Sequence, residues 1–138
     1  MINENKNQNI MTNENNFLEK LEVVLKRLLT NNPSITLATI SSIEGLPIFS
    51  LNPSGSNDTV ISAMVATLLS LSERAVIEMK IGEFKQLYIK GNDGYLLVFE
   101  AEQAVLAVST TEEVKLGLIF LECERASYEI SKIFKKEK

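Results

Sequence analysis

The sequence predicts an α+β domain in the order α-β-β-α-β-β-β-α, with a five-stranded antiparallel sheet, two helices on one face and the central helix on the other. Three observations carry this. Apolar residues recur at intervals of three and four at both ends of the chain, and each set defines a helix with one apolar face. Short β-branched runs separated by turn residues read as strands. A segment without a single charge, Thr59 to Ser72, reads as one helix between the second and third strands. Because neighbouring strands are joined by short turns or by that helix, they run antiparallel.

Residues 1–15 are dominated by asparagine with almost nothing to bury, and they read as a disordered tail before a domain at 16–135. Phe17, Leu18, Leu21, Val24, Leu25, Leu28 and Leu29 form the face of the first helix, which Asn31, Asn32 and Pro33 stop. Ile35 to Ser41 is a strand, and Ile43 to Gly45 turns it into Leu46 to Leu51 as a hairpin. Asn52 to Asn57 is a loop by composition, and Asp58 stands where a helix cap is expected. The central helix then runs to about Lys80 and ends at Gly82.

From Phe84 to Lys90 the pattern alternates, with Lys85, Leu87 and Ile89 on one face and Phe84, Gln86, Tyr88 and Lys90 on the other. Gly91 to Gly94, GNDG, supplies residues suited to positive φ in a tight hairpin turn, and its four residues leave the turn type undecided. Tyr95 to Ala101 and Ala104 to Thr110 are the last strands, joined around Glu102 and Gln103. The last helix is expected to begin near Glu112 or Glu113, since carboxylates suit a helix N-terminus. Its apolar side carries Leu116, Ile119, Phe120, Cys123, Ala126, Ile130, Ile133 and Phe134.

At 138 residues the chain holds one core, and 45% apolar with 23% charged residues matches soluble globular proteins. A net charge of -4 argues against nucleic acid as a partner, which wants a basic face. The single cysteine, Cys123, excludes an internal disulfide and fits a reducing compartment; on the apolar side of its helix it is a small core side chain rather than a reactive thiol. Five hydroxyls interrupt the segment 59–72, so membrane insertion is not expected, and with no apolar signal core at the start a cytoplasmic protein follows.

Catalytic chemistry finds little support. Without histidine there is no Ser-His or Cys-His pair and no imidazole base. One cysteine and scattered carboxylates make no metal set, and the pairs Glu112/Glu113, Glu100/Glu102 and Glu122/Glu124 read as solvated surface. Neither nucleotide-binding glycine motif is present. We therefore expect no cofactor, no metal and no catalytic residue. What remains is contact, because a helix on a sheet should show an opposite charged face, and Thr59 to Ser72 has Thr59, Ser62, Thr67, Ser70 and Ser72 in place of charges. Small hydroxyls of this kind let a second backbone approach, as in an interface or a buried core.

Ile61 to Val76 (ISAMVATLLSLSERAV), Gly82 to Thr110 (GEFKQLYIKGNDGYLLVFEAEQAVLAVST) and LGLIFLECERASYEI of the last helix resemble the roadblock/dynein light chain family. The resemblance covers roughly Phe17 to Phe134, and the bare domain looks like the single-domain prokaryotic regulators. It implies a non-enzymatic dimer that binds a small Ras-like GTPase and modulates its nucleotide cycle or localisation without an arginine finger. The alternative it implies is a scaffold subunit that heterodimerises within a larger complex, indifferent to nucleotide state. It also implies an interface made by the central helices and by the third strand pairing at the sheet edge. That places Ile61, Met64, Val65, Leu68, Leu69, Ser72, Phe84, Gln86, Tyr88 and Lys90 in the contact with a second copy or partner. As a strand, Phe84 to Lys90 leaves Phe84 and Tyr88 suited equally to core or interface. The family suggests no role for the asparagine-rich extension.

Overall fold

No proline or glycine occurs before Pro33, so a helix nucleated by packed leucines has nothing to stop it toward the N-terminus. In the computed structural model, which describes residues 2–136 and the side chains of residues 14–136, the first helix accordingly spans α1 (Ile2–Asn31). This corrects the expected tail: the asparagine-rich segment from Ile2 continues the helix, and only Met1 of it lies outside the described residues. Asn32 closes the helix, its side-chain amide donating to the Leu28 carbonyl at 2.9 Å.

The remaining elements are β1 (Ile35–Ser42), β2 (Pro47–Leu51), α2 (Asp58–Glu78), β3 (Gln86–Gly91), β4 (Gly94–Ala101), β5 (Ala104–Thr111) and α3 (Leu116–Lys136). All strands pair antiparallel in the order β2-β1-β5-β4-β3, which leaves β2 and β3 at the edges. The predicted architecture is therefore the observed one. α1 and α3 share one face of the sheet, where Leu21, Leu25, Ile40, Leu97, Leu106, Ile119 and Ile130 form the larger core. α2 covers the other face, where Val65 and Leu69 pack on Val98, Val105 and Ala107. Every α3 residue named for its apolar side joins the larger core, Cys123 fully buried among them.

Turn chemistry differs from the expectation in instructive ways. α3 begins at Leu116, so Glu112 and Glu113 precede it and no carboxylate occupies its first turn. The β3–β4 turn has only two residues, Asn92 and Asp93, between the paired Gly91 and Gly94, and none of these four carries a positive φ. Gly94 is required for space instead: a Cβ there would stand 1.9 Å from the Thr110 carbonyl oxygen. In the β4–β5 turn it is Glu102 that takes a positive φ, 61°.

Candidate protein interface

The loop between β2 and α2 is tied to the helix start by side chains. Asn57, rather than Asp58, caps α2, its side-chain Oδ1 accepting from the backbone amides of Thr59 and Val60. Asp58 is the first helical residue and holds the loop, accepting from the Ser50 hydroxyl at 2.8 Å and the Asn52 amide at 2.9 Å. The far end stops two residues earlier than expected. Met79 is the C-cap, and Lys80 takes the left-handed conformation with φ 56°. The Lys80 amide donates to Ile77 and the Ile81 amide to Val76, the paired bonds of a Schellman motif. Gly82 comes after this stop and does not make it.

Between these ends α2 has a strip against the sheet and a strip exposed on the opposite side. Ser62, Val65, Ala66 and Leu69 are buried against the sheet. The small residues admit a close approach from within the chain: a Cβ on Gly45, in the β1–β2 turn, would lie 3.2 Å from Ala63 Cα. Below them the Ser41 hydroxyl donates to that of Ser62 at 3.1 Å, and the buried Thr39 hydroxyl has no partner. On the opposite side Val60, Met64 and Leu71 are 57%, 51% and 61% exposed. With Leu68 and Ala75 they follow helical spacing along the flank turned away from Gly45 and the β1–β2 turn, and so toward the β3 side of the sheet, where Leu87 and Leu96 pack, as Ile61 does, against the α2-side core.

β3 lies at the sheet edge beyond the reach of α2, so its α2-side residues are thinly covered and Ile89 is 42% exposed. A ledge results, with an apolar helix flank as its wall and Leu87, Ile89 and Leu96 as its floor.

The ten residues singled out from sequence do not share one surface. Met64 stands on the exposed flank, and the half-buried Leu68 and Ser72 border it. Val65 and Leu69 are 1% exposed, and Ile61 packs with them, so these three belong to the sheet-facing core of the single chain. Phe84 does not share a face with Gln86, Tyr88 and Lys90. β3 starts only at Gln86, which frees Phe84 from the alternation, and its ring turns to the α2-side core. The other three lie on the α3 side, Gln86 opposite Phe99, Tyr88 edge-on to Phe120 at 5.6 Å and Lys90 over the Tyr95 ring. Val60, Leu71 and Ile89 complete the ledge and were not singled out, although the spacing 60, 64, 68, 71, 75 is readable in the sequence.

By length and composition α2 would suffice to cross a membrane, despite its hydroxyls. Val65, Leu69 and the buried Ser62 commit one side of it to the sheet instead.

The roadblock/LC7 domain model matches residues 21–110, which span β1 to β5 and all of α2. The chain belongs to the roadblock/LC7 family. An uncharacterized protein of Methanocaldococcus jannaschii is 32% identical over 91 residues, covering 66% of this chain and 80% of that one. Among solved structures, the gliding protein MglB of Thermus thermophilus superposes with a TM-score of 0.77 at 20% identity, over 87% of this chain and 92% of that one. MglB of Myxococcus xanthus gives 0.78 at 21% identity, over 86% and 90%. These likenesses are of fold, and they extend beyond the matched domain into α1 and α3.

Proposed function

We propose that this roadblock/LC7 protein is a non-enzymatic, cytoplasmic adaptor that pairs with a second copy and binds a small Ras-like GTPase, modulating its nucleotide cycle or localisation. The ledge beside α2 carries the reading. An apolar wall of Val60, Met64, Leu68 and Leu71 next to an uncovered floor has the shape of half a helix pair, and a two-fold axis supplies the other half. The edge strand β3 lies alongside, so one operation covers the ledge and pairs the exposed backbone. Gln86, Tyr88 and Lys90 then sit at the strand junction, while Ile61, Val65, Leu69 and Phe84 support the surface from beneath. The GTPase partner follows from the family resemblance.

Two measurements test the reading. Light scattering should give twice the chain mass at micromolar concentration, and a monomer would remove the pairing. Gel filtration with a small GTPase should show co-elution in one nucleotide state and no GTP turnover by the protein alone. Equal co-elution with GTP and GDP would replace the regulator by the scaffold.

A further inference from the structure

α2 ends in an apolar hook that the fold leaves uncovered. Ile77, Met79 and Ile81 are 71%, 72% and 70% exposed. Single exposed apolar residues are ordinary, but three within five positions on a hydrogen-bonded Schellman turn form a fixed patch. Ile77 is six residues beyond Leu71, about 120° away around the helix axis, and so points away from the ledge.

Beside the hook lies a cleft of about 280 Å³, whose apolar walls are Val76, Ile77 and Phe84. Three carboxylates, Glu73, Glu83 and Glu100, complete the lining with Gly82, and no cation lines it. β3 stops pairing at Gln86 opposite Phe99, so Glu100 borders open space where a strand would otherwise run. None of the three carboxylates enters an ion pair among the described residues, whereas Glu22, Glu102 and Glu129 do. Burial, and then the charges of Glu73 and Glu102, push the Glu100 carboxyl above its ordinary range. Among the described residues no group of three such ligands could hold a metal ion. A cation on an aliphatic stem fits better, with its methylenes on Ile77 and Phe84 and its head among the carboxylates.

We propose that the hook and cleft at the end of α2 dock a partner protein's segment that presents arginine or lysine beside aliphatic side chains. The inference rests on the adaptor reading but uses a surface apart from the one that pairs copies. The apolar hook supplies area, and the cleft's uncompensated charge sets the sign of the occupant.

The test is a titration of the full chain with a fluorescein-labelled peptide of alternating leucine and arginine, followed by anisotropy and by amide chemical shifts. The expected result is saturable binding that shifts amides from Val76 to Phe84 and weakens at least tenfold in M79S/I81S and in E73Q/E83Q. Both variants should keep the wild-type mass by light scattering and the wild-type melting profile, since the altered side chains lie outside the core. A leucine–glutamate peptide should bind at least tenfold more weakly. Equal affinity for both peptides, or unchanged affinity in the variants, would overturn the docking site. A loss of mass in M79S/I81S would overturn it differently, by assigning the hook to the contact between copies. The titration reads equally on a monomer, so failure of pairing and failure of docking are separate results.

Discussion

Leu71→Glu should separate association from folding. Leu71 is 61% exposed in the single chain, and complete burial of a leucine side chain contributes about 1.5–3 kcal/mol. Covering the exposed remainder in the ledge is then worth roughly 1–2 kcal/mol, or roughly 2–4 kcal/mol when two-fold symmetry counts it twice. At about 1.4 kcal/mol per decade, losing it weakens association roughly 30- to 700-fold, and an unpaired carboxylate in a dry contact adds to the loss. Sedimentation equilibrium against concentration reads this directly, with circular dichroism to show that the monomer stays folded. Leu69→Ala is the contrasting change. Leu69 is 1% exposed and faces the sheet, so its truncation should cost folding stability about 2–5 kcal/mol. An unchanged association constant for Leu71→Glu would refute the ledge as the pairing surface. A collapse of the fold in Leu71→Glu as large as that in Leu69→Ala would refute the division of α2 into faces.

Lys80→Gly should raise the unfolding free energy by about 1 kcal/mol in urea, because Lys80 occupies the left-handed position just after the C-cap, which glycine enters without strain. Gly94→Ala should lower the melting temperature markedly, since its Cβ collides with the backbone oxygen of Thr110; an unshifted melt would contradict the close approach. Cys123 is buried, and burial first and the Glu122 charge second push its thiol up to about 12. The raised native value means the neutral thiol is favoured in the fold, so this contribution is full below the unfolded pKa near 8.5 and is lost as pH rises toward 12. Cys123→Ala should therefore show a shallower loss of stability than wild type across that window, and native Cys123 should resist a thiol reagent that labels the unfolded chain.

Much of the architecture was legible because its signals are local and periodic. α3 shows one apolar residue for each turn against the sheet, and the strand pairs are bounded by short turns, so both could be placed to within a few residues. α2 was different. It is apolar nearly all round, so periodicity alone does not say whether Val65 or Met64 meets the sheet; that follows only from the crossing of α2 over β1 and β5. Phe84 was misplaced for a related reason. Alternation assigns a face only inside a strand, and the strand starts two residues later. Asparagine content suggested an unstructured start, yet without proline or glycine the helix continues. Lys80 at a left-handed position carried no sequence signal, because glycine is the residue that ordinarily marks such a stop.

The sheet divides the interior unequally. Among the described residues, the packed cluster on the α1 and α3 side has seventeen buried apolar side chains and the one on the α2 side has five, and the smaller layer also includes an unpartnered hydroxyl at Thr39. Two layers so different in apolar content need not open together. α2 has the weaker hold, so its amides should exchange with solvent through a partial opening that leaves the other layer closed. The element proposed as the contact surface is thus also the one with the lowest threshold for local release, and covering it with a partner would slow that exchange as directly as it would hide the surface.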